Sequence, residues 1–519
     1  MTAAPRRGKP CAHSPLTHMA DQMDSQDLDE SIIILRLSPE LMLKSTPVRR
    51  QFQDILRRNL RFILKREGVS HSIDMTRGRV TLMVPKAQEA RALDLLPKVF
   101  GIGTFSVVER IVAADLDTIR DNCLDLFRDR IIGKTFAVRA KRMGPRTIST
   151  RAIEVETGAV LGLHAKVDLT DPDVTVRIEV IGQEAHLYLD RKDGAGGLPA
   201  GTQGRVAVLV SGGFDSMVAA WQIIRRGASV EFVFCNLGGA AYERQVVQVV
   251  KVLTHLWAGG LRPHLHVVDF QGILAEIKEK TPTRFWQIVL KREMYRVAEA
   301  VAAETHAQAI VTGEALGQVS SQTLSNLNTI DAATSLPVLR PLIGFDKKDI
   351  VAIARRIGTA PLSERIPEFC GISEGSPAVR SNRDKVAFLE GHMDPAAREA
   401  AIAGRKVINL DKLTAADLRA PYLWVDALPE TAELIDCQPD PYYRAWHVPD
   451  VRHYTVDDMD RLYADLPKTG TYILYCAHGV QSALMVEHMQ QKGYDAYAFR
   501  GGLTSLQREL ERLGRSVPA

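Results

Sequence analysis

Residues 206–210, Val-Ala-Val-Leu-Val, run directly into Ser211-Gly212-Gly213-Phe214-Asp215-Ser216, and a helix is expected over 217–226. A buried strand, a glycine-rich turn and a helix in that order make an anion cradle. Glycine lets the backbone approach the anion closely, and the helix start offers free N–H groups and a positive dipole end. The loop matches neither Gly-x-x-x-x-Gly-Lys-Ser/Thr nor Gly-x-Gly-x-x-Gly, which disfavours kinase-like and dinucleotide-binding chemistry. Without a loop lysine, binding rests on backbone groups and a magnesium ion. Further short apolar strands are expected at 230–235, 264–268 and 309–312, with helices between them. That alternation specifies an α/β, doubly wound parallel sheet. Ligands in such sheets bind at the carboxyl ends of the strands. Residues 311–322, Val-Thr-Gly313-Glu-Ala-Leu-Gly-Gln-Val-Ser-Ser-Gln322, follow one of those ends. Lys291 and Lys347 are placed to meet a phosphate, although either is equally an ordinary surface lysine.

The cradle is one part of a longer chain. At about 150 residues per domain, 519 residues make roughly three to four domains. Hydrophobic residues at 45% and charged residues at 25% exclude a disordered, collagen-like or small disulfide-stapled chain. No apolar run approaches the ~20 residues of a membrane span, and none follows the early basic residues as a signal peptide requires. Six cysteines lie far apart without a Cys-x-x-Cys pair, which opposes a locally built zinc or iron–sulfur site. The chain reads as cytoplasmic, with reduced thiols.

Residues 1–30 lack periodicity and read as disordered, with Met19 and Met23 as alternative starts. Residues 31–86 give a strand, an amphipathic helix and a hairpin, and read as a ferredoxin-like α+β domain. Residues 87–191 read as a second α+β module, and the glycine-rich stretch 192–203 as a linker. The cradle domain spans 204–380, a polar helical linker 381–420, and a small α/β domain 421–519. Basic charge concentrates in the first third. Between Leu41 and Ala90 eleven Lys/Arg stand against four Asp/Glu. Between Ile131 and Arg151 there are six basic residues and no acidic one. Arg139 and Lys141 alternate on an expected strand and so share a face. Gly144-Pro145 is expected to end that strand, leaving Arg142 and Arg146 on a loop beside them. With Lys134, this cluster fits phosphate-backbone binding.

Two cysteines stand in chemical contexts. Leu474-Tyr-Cys476-Ala-His-Gly-Val-Gln-Ser482 reads as strand, tight loop and helix. Loop N–H groups converging on sulfur, with a helix end nearby, are expected to favour thiolate and to suit an anionic persulfide. This loop resembles the active loop of rhodanese-type sulfurtransferases, and Glu433-Leu-Ile-Asp436 and Trp446-His-Val-Pro449 resemble their other landmarks. Gln481 and Gln438 depart from it, standing where arginine is common. Pro367-Glu-Phe-Cys370-Gly-Ile holds the second candidate, a proline-framed thiol in a polar loop just past the expected phosphate site. Cys123 and Cys235 read as core, and Cys437 as filler at a strand end.

The combination of Ser211–Ser216, Leu237-Gly-Gly-Ala240, 312–324 and 367–371 in one chain resembles the bacterial tRNA 4-thiouridine synthase family. The first of these resembles the pyrophosphate loop of ATP pyrophosphatases. The resemblance covers residues from about 31 to 515 and implies ferredoxin-like, THUMP, ATP pyrophosphatase and rhodanese-like domains. It implies that ATP adenylates O4 of uridine 8 in tRNA, and that persulfide sulfur on Cys476, loaded by a cysteine desulfurase, replaces that oxygen. By the family pattern Cys370 pairs with Cys476 in a transient, redox-active disulfide that a thiol reductant reopens. Asp215 and Lys347 match catalytic positions. ATP contacts fall on Leu209, Val210, Lys291, Gly313 and Gln322, beside the loop Ser211, Gly212, Gly213, Phe214 and Ser216. Magnesium is expected with the nucleotide. The family also passes sulfur to a carrier protein for the thiazole of thiamine, and a homodimer is left open. Two alternatives stand: another ATP-pyrophosphatase enzyme acting on RNA, and a sulfur relay acting only on a carrier protein.

Overall fold

The computed structural model describes residues 30–75, 80–143, 148–364, 366, 376–413, 423–429, 431–477 and 479–515. The chain divides into two compact units, Met1–Leu198 and Pro199–Ala519.

The first unit holds two sheets. One runs in the order Lys192–Asp193, Ile102–Val108, Glu30–Leu37, Val80–Pro85, Ser72–Asp74, antiparallel throughout. Helix Thr46–Arg66 covers it with Phe52, Leu56, Leu60 and Leu64, which pack on Ile33, Leu35, Val80 and Leu82. The helical period that buries those residues turns Arg50, Arg58, Arg61 and Lys65 to solvent. The expected boundary at 86/87 is corrected here, because Ile102–Val108 pairs with Glu30–Leu37 and belongs to the first sheet. The expected linker 192–203 is also partly sheet. Lys192–Asp193 pairs with Phe105 and Thr104. Gly194 then lies where a Cβ would sit 2.4 Å from the Ile102 carbonyl oxygen, a fit only glycine permits.

The second sheet runs Arg110–Ala113, Glu184–Tyr188, Val174–Ile181, Thr135–Met143, Lys166–Val167. Helices Leu116–Ile131 and Thr150–Leu161 bury Ile119, Cys123, Phe127, Ile153 and Leu161 against it. Asp115 and Ser149 cap the two helices by accepting from the N–H groups of Thr118 and Ala152. Burial pushes the Cys123 thiol up to about 12, as suits a core cysteine.

The second unit carries the doubly wound sheet, ordered Val338–Leu339, Ile310–Val311, Arg205–Val210, Ser229–Asn236, His264–Asp269, Lys406–Asn409. The first five strands are parallel. The sixth is antiparallel and comes from the stretch expected to be a helical linker. That linker is a packed part of the domain. Its helix Arg383–Glu390 is clamped by Arg292, whose Nε and a terminal nitrogen donate to Glu390 at 2.6 and 2.9 Å. Ala207, Val233 and Val268 face helices Gln271–Lys280 and Trp286–Thr305. Helices Phe214–Arg225 and Gly239–Trp257 pack with each other and on strands Arg205–Val210 and Ser229–Asn236. Strand order reverses at Arg205–Val210, which has Ser229–Asn236 on one side and Ile310–Val311 on the other. A crevice opens at the carboxyl ends there.

The C-terminal domain is a parallel sheet ordered Trp424–Val425, Asp495–Phe499, Thr471–Tyr475, Glu433–Asp436, Arg452–His453. Its helix Val480–Gln491 packs on helix Gly239–Trp257 of the central domain.

Candidate active site

The crevice is a cavity of about 510 Å³. Of the residues anticipated at a nucleotide, Leu209, Val210, Ser211, Gly213, Phe214, Asp215, Ser216, Lys291, Gly313 and Gln322 line it. Gly212 does not line it but shapes the turn. Its φ is +79°, and a Cβ there would lie 2.6 Å from Ile366 Cδ1. Its carbonyl accepts from Ser363 Oγ at 2.8 Å. Gly213 is the N-cap of helix Phe214–Arg225 and no side chain caps that helix. The first turn therefore presents backbone N–H groups to the cavity, where a phosphate would accept from them.

The loop after Ile310–Val311 closes the opposite wall. A Cβ on Gly313 would meet the Asp215 carbonyl carbon and the Ser216 nitrogen, each at 2.6 Å. The two loops thus touch backbone to backbone. One residue on, Glu314 is buried and heavily bonded. It accepts from Lys291 Nζ at 2.7 Å, Tyr295 Oη at 2.7 Å, Arg340 Nε at 2.9 Å and Thr312 Oγ1 at 3.1 Å. Burial opposes its charge, but Lys291 and Arg340 outweigh burial and hold the carboxyl down at about 2. Arg340 is itself held by Asp331, through a 3.1 Å bond and a second, shorter one. Lys291 is thereby aimed along the cavity wall by a carboxylate it shares with a second cation.

Lys347 lies outside the cavity lining, yet its Nζ donates to both carboxylate oxygens of Asp215, at 2.8 and 2.9 Å. Gln318 Nε2 adds a third hydrogen bond to Asp215 at 2.9 Å. Three segments of the chain therefore converge on one carboxylate at the mouth of the phosphate cradle. Cys370 lies outside the described residues.

In the C-terminal domain, Cys476 follows strand Thr471–Tyr475, and its loop ends on Gly479 at φ +76°. A Cβ on Gly479 would sit 3.1 Å from the Trp424 ring, so this glycine keeps the loop tight. Ser482 N–H points at Cys476 Sγ from 3.5 Å, and Ser482 Oγ lies at the same distance. The thiol is 3% exposed. Asp436 is a structural anchor: its two oxygens accept from Gln438 N at 2.8 Å and Gln438 Nε2 at 3.1 Å. Gln438, in the place of an arginine, is thus a buried brace of the strand end. Cys476 does not line the nucleotide cavity.

In the first unit Lys134, Arg139 and Lys141 are exposed. Strand Thr135–Met143 runs further than anticipated. Arg142 is therefore on the strand, not on a loop, and donates to the Ile148 carbonyl. Parallel pairing with Val174–Ile181 continues through Met143 and extends the strand past the basic residues. Arg146 lies outside the described residues.

Sequence reasoning missed three groups. Arg177 is the registered neighbour of Arg139 on the paired strand, and burial and nearby cations lower its guanidinium pKa. Only strand pairing reveals it. Glu314 and Arg340 were the others. Glu314 stood inside the 311–322 loop, and a lone acid amid glycines and amides was its signal.

Comparison with known proteins agrees with this geometry. The family "Thiamine biosynthesis protein (ThiI)" matches residues 201–394, and its ferredoxin-like domain matches 32–106. A THUMP domain matches 113–190 and a rhodanese-like domain 422–509. The tRNA sulfurtransferase of Marinobacter nauticus is 36% identical over 485 residues, covering 89% of this chain and 98% of the relative. That of Actinobacillus succinogenes is 37% identical over 473 residues, with the same two coverages of 89% and 98%. The structure of a 4-thiouridine synthetase–RNA complex with bound ATP superposes with a TM-score of 0.64 at 32% identity. It spans 73% of this chain and 98% of its own. With its cradle, its basic strand and its Cys476 loop in one polypeptide, the chain belongs to the tRNA sulfurtransferase family, in the form that carries a rhodanese-like domain.

Proposed function

We propose that this protein converts uridine 8 of tRNA to 4-thiouridine at the expense of ATP. The observation that carries this reading is the convergence of the 211–216 and 313–322 loops, with the Asp215–Lys347 pair, on one cavity of nucleotide size. Backbone N–H groups at the start of helix Phe214–Arg225 hold the departing pyrophosphate, and Lys291 and Lys347 balance its charge. Uridine O4 attacks the α-phosphate, so a poor leaving oxygen becomes part of AMP. The outer sulfur of a Cys476 persulfide then attacks C4, and AMP departs with the original oxygen. Cys370 attacks Cys476 Sγ, which breaks the S–S bond, leaves the sulfur on tRNA and forms the Cys370–Cys476 disulfide. A thiol reductant reopens it.

Asp215 is the cradle residue that would hold a magnesium ion arriving with the nucleotide, in exchange for its bonds to Lys347 and Gln318. When bound, the ion neutralises phosphate charge. A cysteine desulfurase is the sulfur donor, and the basic strand with Lys134, Arg139, Lys141 and Arg142 docks the tRNA phosphates. A second use of the Cys476 persulfide, transfer to a sulfur carrier protein for thiazole synthesis, is favoured by the thiamine-biosynthesis family match. The test is nucleoside mass spectrometry of unmodified tRNA incubated with the protein, ATP, cysteine and a desulfurase. ATP-dependent 4-thiouridine is the expected result, and its absence with Cys476 fully persulfidated overturns the reading.

A further inference from the structure

Cys437 is the cross-strand neighbour of Cys476. Strands Glu433–Asp436 and Thr471–Tyr475 pair in parallel with Asp436 opposite Tyr475. The ladder continues one step further, Cys437 N–H donating to the Tyr475 carbonyl at 2.8 Å. The next residue on each strand is a cysteine. Registered residues of parallel strands present their side chains on the same face. Both thiols accordingly sit in one apolar cluster with Ile435 and Leu474, whereas Tyr475 packs in the cluster on the other face. Paired strands lie about 4.8 Å apart, inside the ~4.4–6.8 Å Cα separation a disulfide spans. Cys437 is fully buried, and burial, with Cys476 and Asp436 nearby, pushes its thiol well above the usual range. It is a neutral S–H at physiological pH, and the thiolation scheme does not use it.

We propose that Cys437 is an internal resolving thiol that discharges the Cys476 persulfide as hydrosulfide when no tRNA consumes it. This rests on the reading of Cys476 as the persulfide carrier. Cys437 sulfur attacks Cys476 Sγ, and the bond from Sγ to the outer sulfur breaks with its electron pair going to the outer sulfur. The Cys437 proton passes to that sulfur, which leaves as HS⁻. A persulfide anion and a thiol enter, and a disulfide and a hydrosulfide anion leave, so charge and atoms balance. The outer sulfur is reduced and the two cysteines are oxidised; a dithiol reductant resets the pair. The proton is the reason a neutral neighbour works here. The persulfide anion takes it, the resulting Cys437 thiolate is the nucleophile that attacks Sγ, and the outer sulfur leaves as HS⁻, a far better leaving group than S²⁻. Ser482 N–H, pointing at Sγ, draws charge from the sulfur under attack.

The test uses the full-length Cys370→Ala protein, which removes the other thiol partner. It is loaded with sulfur by inorganic polysulfide, desalted and held without reductant. One hydrosulfide per persulfide should appear, and non-reducing peptide mapping should show a Cys437–Cys476 bridge. Adding Cys437→Ser should abolish both and lengthen the persulfide half-life at least tenfold. Cys437→Ala is a second variant should serine disturb the core, and equal loading of Cys476 certifies each fold. Equal half-lives and no bridge in proteins that load normally overturn this proposal and leave the carrier reading standing. Failure of Cys476 to load in every variant overturns both.

Discussion

Lys347 Nζ sits within 2.9 Å of both carboxylate oxygens of Asp215, 132 residues earlier in the chain. The lysine side chain is 43% exposed and the aspartate 21%. Exposed pairs of this kind contribute about 0–1 kcal/mol to stability. Lys347→Ala should therefore shift the urea midpoint little, while ATP-dependent pyrophosphate release on tRNA falls at least a hundredfold. Asp215→Asn should behave alike and still accept persulfide on Cys476. A variant that unfolds early yet adenylates normally would show the pair to be structural.

Gly313 predicts a sharper result. Its Cβ position is 2.6 Å from the backbone of Asp215 and Ser216, atoms that cannot rotate away. Gly313→Ala must push two loops apart, at a cost of about 1–3 kcal/mol. Nucleotide affinity, read by calorimetry with a non-hydrolysable ATP analogue, should drop at least tenfold, with tRNA binding unchanged. Wild-type affinity would mean that the loops separate freely.

Glu314 makes stability depend on pH in a set direction. Its folded pKa, about 2, lies below the ordinary value of 4.5. A depressed carboxyl contributes stability that is complete above about pH 4.5 and is lost as pH falls toward 2. The shift corresponds to about 3 kcal/mol. Glu314→Gln should thus unfold at lower urea than wild type at pH 7, and the gap should narrow steadily from pH 4.5 to pH 3. A gap that stays constant with pH would assign the loss to packing alone.

These residues also show how far the sequence carries. The cradle was legible because its strand, glycines and helix are contiguous, so local chemistry fixes the geometry. The Lys291–Glu314–Arg340 network was not, because its members come from three elements and meet only when the parallel sheet closes. Lys406–Asn409 escaped notice for a similar reason: four residues after a helix become a strand only beside the open edge at His264–Val267. Cys437 read as filler until strand register placed it next to Cys476. Arg142 was assigned to a loop from Gly144-Pro145, yet pairing with Val174–Ile181 carried the strand to Met143.

The basic strand sets the salt dependence of tRNA binding. Arg139 and Lys141 share an exposed face, with Arg177 beside Arg139 on the paired strand. Each phosphate left without its cation lowers the slope of log affinity against log salt by about one. The double variant Arg139→Ala with Lys141→Ala should reduce that slope by about two and leave ATP binding intact. An unchanged slope would remove this face from the docking surface.

The two thiols of the proposed reaction should fail differently. Cys476 has Ser482 N–H directed at its sulfur from 3.5 Å, and Gly479 beside the Trp424 ring closes its loop. Cys476→Ala should take no sulfur from a desulfurase and support neither tRNA thiolation nor transfer to a carrier protein. Cys370→Ala should still load Cys476 and still serve the carrier, but lose multiple-turnover thiolation. Cys476 does not line the nucleotide cavity, and the prediction is that sulfur delivery moves the helix Val480–Gln491 off its seat on Gly239–Trp257. Gly239 lies under that seat, 3.6 Å from Glu487 at its Cβ position. A disulfide engineered across this seat should therefore stop thiolation while leaving pyrophosphate release intact, and reduction should restore it. Full thiolation by the cross-linked protein would mean that sulfur reaches the nucleotide site without domain motion.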